Sequence, residues 1–240
     1  MQAVTIKKLC KIYDIKGKRV NALDHINLDI EQGSFVTIVG KSGCGKTTLL
    51  RILAGLENKT SGDVTFSKDI ERVGIMFQEP RLMPWLTVKD NLGFSMLNIK
   101  DKDYIDKTVD KYLEMLGLWD FKDAYPSQIS GGMAQRTALG RTLCYNPDLI
   151  LMDEPLGALD AFNRRKLQND LIEILNEHKK TIIFVTHDVD EAVYLGQKVI
   201  AMDNGIVLKE LNIDMPYPRK FNSENFLKIR EELLSLILNE

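Results

Sequence analysis

The chain has 240 residues, 44% of them apolar, enough to bury the core of one large domain or two modest ones. Its 32 basic and 34 acidic side chains nearly cancel, so charge offers no argument for a nucleic-acid partner and none is expected. No apolar run approaches the ~20 residues a membrane-spanning helix needs, and the start lacks the apolar block of a secretory signal, so a cytoplasmic setting is expected. Three scattered cysteines, Cys10, Cys44 and Cys144, without a Cys-x-x-Cys pair, fit a reducing compartment and argue against a cysteine metal site.

Val4-Thr5-Ile6, Leu9 to Tyr13 and Val20 to Ile30, with a polar turn at Asp14 to Lys18, read as an antiparallel β region. Tyr13 stands just before that turn, where its ring serves either as an ordinary strand tyrosine or as a stacking face for a base. Phe35 to Val39 reads as a buried strand, and Thr48 to Gly55 as a helix closing on glycine. Residues 40–47 between them are Gly-Lys-Ser-Gly-Cys-Gly-Lys-Thr, which in this context predicts a phosphate-binding loop. Gly40, Gly43 and Gly45 carry no Cβ, so the backbone can wrap its N–H groups around a polyphosphate at the positive end of the next helix. Lys46 is expected to reach the β and γ phosphates and Thr47 to offer its hydroxyl to a magnesium ion, while Cys44 reads as a small filler.

Ser61 to Phe66 and Val73 to Phe77 are further strands, the second ending at Gln78. The character then turns helical. Pro80, Pro84 and Trp85 punctuate a loop, Thr87 caps a helix, Asp106 to Leu116 has helical spacing before Gly117, and Ile129-Ser130-Gly131-Gly132-Met133 opens a helix that runs to about Cys144. This block, about 80–145, reads as an inserted helical subdomain. After it come a strand at Leu149 to Met152 ending in Asp153-Glu154, a helix from Arg164 to His178, and a strand from Thr181 to Val185 ending in Thr186-His187. A helix from Asp190 to Leu195 follows, then a strand at Val199 to Met202 turned by Asn204-Gly205 into Ile206-Val207-Leu208. Strands alternating with helices predict an α/β fold built on a parallel sheet. From Ser223 the apolar positions Phe226, Leu227, Ile229, Leu233, Leu234 and Ile237 predict a final helix whose mixed charges suit packing or a partner rather than membrane anchoring. The expected division is a main domain at 1–220 and a helical tail at 221–240.

Hydrolysis needs a metal anchor and a group to orient water, and Asp153 and Glu154 fit those roles at the end of a strand expected beside the loop's own strand. Gln78 and His187 stand at the carboxyl ends of strands, the edge where open α/β sheets bind ligands. Gln78 suits magnesium or a water, His187 the γ phosphate, and either alone is more often a satisfied polar residue at a strand end. Ser130-Gly131-Gly132 at a helix start is a second anion-binding device, although one nucleotide needs only one cradle. The surplus is resolved if this cradle serves the nucleotide held by another copy of the chain.

Taken together, these motifs resemble those of ATP-binding cassette proteins, the P-loop ATPase subunits of membrane transporters, over nearly the whole chain. Tyr13 matches the adenine-stacking aromatic, Gly40 to Thr47 the Walker A loop, Gln78 the Q-loop glutamine, and Leu149 to Glu154 the Walker B strand with its catalytic glutamate. Ile129 to Met133 matches the family signature, departing at Ile129 from leucine and at Met133 from glutamine; Ala158-Leu159-Asp160 matches the D-loop, and His187 the switch histidine. The resemblance implies that Tyr13, Gly40, Ser42, Gly43, Cys44, Gly45, Lys46, Thr47, Thr48, Ser130, Gly131, Gly132 and Asp160 bind ATP. It further implies that Thr47, Gln78 and Asp153 hold Mg2+, and that Glu154, His187 and Gln78 serve catalysis. A head-to-tail homodimer sandwiching two ATP molecules is implied with them.

Leu82 to Val88, Gly131 to Arg136, Asp153 to Asp160 and the tail from Pro218 to Glu232 resemble importer ATPases for nitrate, aliphatic sulfonates and taurine. That resemblance implies separate transmembrane permease subunits, an extracytoplasmic solute-binding protein behind them, a place on the cytoplasmic face of the membrane, and a groove around Arg81 to Trp85 receiving a short helix of the permease. Two other classes are set against it. A soluble cassette ATPase of assembly or DNA maintenance usually has a tandem cassette or a long coiled-coil insertion, and a nucleotide switch or small-molecule kinase has no use for Ser130 to Gly132.

Overall fold

The computed structural model describes residues 1–157, 159–178 and 180–238, and the side chains of all of these except 176–178. The chain opens with a long antiparallel hairpin, β1 (Gln2–Ile15) and β2 (Lys18–Glu31). Lys16 and Gly17 both take positive φ, 54° and 79°, which matches the twist of a two-residue turn, and Asp14 Oδ1 accepts from the Gly17 N–H at 2.8 Å. The break expected between Ile6 and Leu9 is a bulge within one strand rather than a gap between two. β3 (Phe35–Val39) leads into α1 (Lys46–Leu53), and β4 (Ser61–Phe66) returns to pair with β1, completing a three-stranded sheet in the order β2-β1-β4.

β5 (Val73–Met76) precedes the helical block of α2 (Val88–Gly93), α3 (Lys102–Met115) and α4 (Gly131–Cys144). The chain then alternates through β6 (Leu149–Asp153), α5 (Ala161–His178), β7 (Thr181–Thr186), α6 (Val189–Leu195) and β8 (Lys198–Asp203), and ends with β9 (Ile206–Asn212) and α7 (Glu224–Leu238). The second sheet has the order β5-β6-β7-β3-β8-β9, parallel except for β9, which the Asn204-Gly205 turn folds back on β8 as expected.

One expectation needs correcting. β6 does not lie beside β3, because β7 is inserted between them and pairs with both. β3, β6 and β7 are all short apolar runs, and nothing in such residues names the neighbour. Register keeps the three carboxyl ends level, with Val39 opposite Thr186 and Asp153 opposite Val185, so a carboxylate leaving β6 can still reach across β7.

The parallel strands are buried on both faces. Val36, Ile38, Leu149, Leu151, Ile183 and Val185 pack with α1 and the three-stranded sheet, while Phe35, Val39, Ile150, Met152, Ile182 and Phe184 pack with α5, α6 and the helical block. Leu49, Leu50, Ile52 and Leu53 of α1 fill the space between the two sheets, each fully buried aliphatic contributing about 1.5–3 kcal/mol. The sheet-to-sheet core therefore clamps the helix that follows the glycine loop. The final helix joins the main core through Phe226, Leu233 and Ile237, with Arg230 paired to Asp190 of α6 at 2.8 Å. Just before it, the buried Arg219 guanidinium donates to the carbonyls of Val193 and Gly196, each at 2.6 Å, stitching the end of α6 to the tail.

Candidate functional site

The glycine loop is shaped by how closely its neighbours approach. Gly45 has φ 107°, and a Cβ there would lie 2.3 Å from the Ala22 carbonyl of β2, so the hairpin leans directly on the loop. A Cβ at Gly40 would lie 2.1 Å from the Met202 carbonyl. α1 starts without a side-chain cap and without an acid in its first turn, whereas α2, α3, α4 and α6 are capped by Thr87, Asp101, Ser130 and Asp188. Its first N–H groups are thus left to an anion. Lys46 is only 4% exposed and folds back on the loop, donating to the Gly40 carbonyl at 2.7 Å and the Lys41 carbonyl at 3.0 Å. Neutral carbonyls are weak partners for a buried ammonium, and a phosphate is a stronger one. Cys44 is buried and its thiol is pushed up by that burial against the pull of Lys46, which fits a filler whose part is its backbone. Ser42 and Thr47 are exposed and Thr48 is half-buried.

Thr47 Oγ1 donates to Asp153 Oδ1 at 2.9 Å, across the end of β7. Burial pushes the Asp153 carboxyl above its usual range, opposed mainly by that hydroxyl. Thr47, Gln78 and Asp153 line one cavity of about 220 Å3 together with Arg51, Phe77 and Arg81. The three proposed ligands offer only oxygen from their alcohol, amide and carboxyl groups, and a carboxylate starved of solvent is relieved by a cation, so the residues present fit a magnesium ion.

Glu154, the next residue, sits at φ 46° with its N–H donating to the Val185 carbonyl at 3.0 Å. A non-glycine residue in the left-handed region is uncommon, and here it swings the carboxylate off the line of β6. Glu154 Oε2 lies 2.9 Å from His187 Nδ1, so the ends of β6 and β7 are joined by a hydrogen bond between the two candidate catalytic side chains.

Other expected residues lie apart. Tyr13 is half-buried on β1 with the Lys11 ammonium 4.6 Å from its ring centroid. Ser130 caps α4, accepting from the Met133 N–H at 3.3 Å, and is exposed; a Cβ at Gly131 would meet nothing within 4 Å, and Gly132 is half-buried. Asp160 caps α5 by accepting from the Phe162 and Asn163 N–H groups, each at 3.0 Å, and Ala158 lies outside the described residues. Among the described residues, none of Tyr13, Ser130 or Asp160 lines the cavity of Thr47 and Asp153.

Several contacts were not foreseen. Gln135 of α4 donates to the Gln78 carbonyl at 2.7 Å, and Arg141 of the same helix donates to the carbonyls of Pro80 and Arg81, each at 2.9 Å. The helix that begins with Ser130 therefore grips the segment carrying Gln78. Arg81 and Trp85, expected to share a groove, line different cavities: Trp85, 69% exposed, joins Leu86, Phe94, Leu97, Ile105 and Val109 around about 390 Å3 of mostly apolar space.

A polyphosphate loop clamped between two sheets, with a hydroxyl and a carboxylate converging beside it and a second acid poised next door, defines a P-loop nucleoside triphosphatase. The family model described as ABC transporter matches residues 23–157, and the chain belongs to that family. It is 44% identical to the aliphatic sulfonates import ATP-binding protein SsuB of Bacillus cereus, over 96% of this chain and 94% of that protein. It is also 44% identical to an uncharacterized ABC transporter ATP-binding protein, MJ0412, of Methanocaldococcus jannaschii, over 98% of this chain and 91% of that one. Among solved structures, the ATP-binding cassette MJ0796, a dimer in a post-hydrolysis state bound to ADP and Pi, superposes with TM-score 0.80 at 31% identity, covering 89% of this chain and 100% of that chain.

Proposed function

We propose that this chain hydrolyses ATP as the energising subunit of an importer for a small solute of the aliphatic sulfonate, taurine or nitrate kind, bound to separate permease subunits at the cytoplasmic face of the membrane and served by an extracytoplasmic solute-binding protein. The observation that carries the ATPase part is the pairing of Thr47 with Asp153 and of Glu154 with His187 at the level ends of β3, β6 and β7. The near full-length likeness to a sulfonate importer protein supports the transport part.

In this reading the loop N–H groups and Lys46 take the phosphates, and Tyr13 takes the adenine. Thr47, Asp153 and Gln78 would hold the magnesium ion, which supplies charge neutralisation of the phosphate oxygens when bound. Glu154 accepts the proton of the attacking water, and His187, hydrogen-bonded to Glu154, fixes that carboxylate and bonds the γ phosphate. Ser130 to Gly132 present a helix start to the nucleotide of a second copy, so each ATP is enclosed by two chains. The exposed groove at Trp85 receives a helix of the permease, and α4, tied to Gln78 through Gln135 and to Pro80 and Arg81 through Arg141, links that groove to the nucleotide. No helix among the described residues is long and apolar enough to cross a membrane, so the pore belongs to other chains in this reading.

The test is growth and uptake. A strain lacking this chain should fail to accumulate labelled aliphatic sulfonate, taurine or nitrate, regain uptake with the wild-type chain and not with Glu154→Gln. Uptake of all three solutes unaffected by the loss would refute the transport reading.

A further inference from the structure

Arg164 carries no role in the chemistry so far, yet it stands where the segment after Glu154 meets the segment of His187. Its Nη2 donates to the Leu159 carbonyl at 3.1 Å, just ahead of the residue that caps α5. At ion-pair rather than hydrogen-bond distance, its Nη1 lies 3.9 Å from Asp188 Oδ2 and its Nε, a buried atom without a hydrogen-bond partner, 3.6 Å from Glu191 Oε1, on the far side of the histidine. Arg164, Glu154, Gly157, Thr186, His187, Asp188 and Glu191 together enclose a small cavity of about 40 Å3.

The contacts close a ring. Glu191 is buried, and its Oε2 accepts from Thr186 Oγ1 at 2.8 Å; the same hydroxyl accepts from the Asp188 N–H at 3.0 Å. Thr186 and Asp188 flank His187, whose Nδ1 lies 2.9 Å from Glu154 Oε2. From Glu154 the chain returns through the Gly157 N–H, which donates to the Glu154 carbonyl at 3.3 Å, to Leu159 and Arg164. A guanidinium suits this post because it turns three separate nitrogens, held in one plane, toward a carbonyl and two carboxylates, a spread that the single nitrogen of an ammonium does not cover.

We infer that Arg164 is a positioning residue: by holding the Leu159 carbonyl against the carboxylates of Asp188 and Glu191, it sets the spacing of Glu154 and His187. It rests on the reading of those two residues given under Proposed function. A surface ion pair of no consequence is the competing account, and the ring distinguishes the two, because a positioning role predicts coupling to Glu191 and an idle pair does not.

The experiment measures kcat and KM for ATP, per nucleotide-binding chain, in Arg164→Ala, Arg164→Lys, Glu191→Gln and the double variant Arg164→Ala/Glu191→Gln, beside Glu154→Gln. The expected result is a fall in kcat of about tenfold for Arg164→Ala with KM nearly unchanged, a similar loss for Arg164→Lys, and a double variant little worse than the single ones. Where Arg164→Ala does not fold, Arg164→Lys and Glu191→Gln carry the same comparison. A wild-type kcat in Arg164→Lys and Glu191→Gln, or losses that multiply in the double variant, overturns the inference. If Glu154→Gln itself keeps full turnover, it is the underlying site assignment that has failed, not the role of Arg164 alone.

Discussion

Thr47 and Asp153 are 106 positions apart in the chain and belong to elements that do not pair, yet their oxygens lie 2.9 Å apart. α1 delivers the hydroxyl and β6 the carboxylate, with the end of β7 passing between the two strands. The same geometry puts the Thr186-His187 end of β7 between the loop and Glu154, so the inserted strand supplies a candidate catalytic residue to the gap it fills.

Replacing Glu154 by Gln should lower ATP turnover by at least about 10²-fold while leaving ATP binding in place, because an amide keeps the shape but cannot accept the water's proton. Steady-state hydrolysis and a nucleotide-binding titration on the same sample check this; retained turnover would remove Glu154 from its role.

Replacing Lys46 by Ala should weaken ATP binding by about 10- to 100-fold, the worth of a charge-assisted contact to phosphate. The variant also loses an ammonium that is buried against loop carbonyls in the free chain. Calorimetric titration reads the affinity directly, and wild-type binding would contradict the loop assignment.

Trp85→Asp should cost the contact with the permease about 2 kcal/mol or more and leave the chain's own ATP hydrolysis intact, since the tryptophan lines an apolar groove away from Thr47 and Asp153. Co-purification of membrane subunits together with hydrolysis by the isolated chain separates these effects. Unchanged co-purification would move the docking site elsewhere.

Stability should depend on pH through Asp170. This buried side chain on α5 has an Oδ2 without a hydrogen-bond partner, and burial pushes its carboxyl up to about 6, with Lys166 pulling the other way. The native chain therefore holds a proton between about pH 4 and about pH 6 that the unfolded chain has released, so this group's contribution to stability falls as pH rises through that window. Thermal unfolding of the wild type and Asp170→Asn from pH 4 to pH 7 should show the wild type losing ground to the variant as pH increases; a constant gap would contradict it.

What the sequence made legible was what chemistry requires to be contiguous. A loop that wraps phosphates needs its glycines, Lys46 and Thr47 in one stretch, and Asp153-Glu154 must follow a strand directly. Strand order was not legible, because β3, β6 and β7 are interchangeable apolar runs until helices and loops choose their neighbours. Nor were Gln135, Arg141 and Arg164, whose partners include backbone carbonyls at Gln78, Pro80, Arg81 and Leu159. A carbonyl is present at every residue, so no pattern of residue types announces such a contact.

Whether each ATP is enclosed by Glu154 of one chain and Ser130 of another is measured most directly by mixing two variants. Glu154→Gln and Ser130→Arg should each be nearly inactive alone, and their mixture should regain hydrolysis, because a mixed pair holds one site with an intact Glu154 from the second variant and an intact Ser130 from the first. A mixture no more active than the mean of its two parents would contradict the shared site.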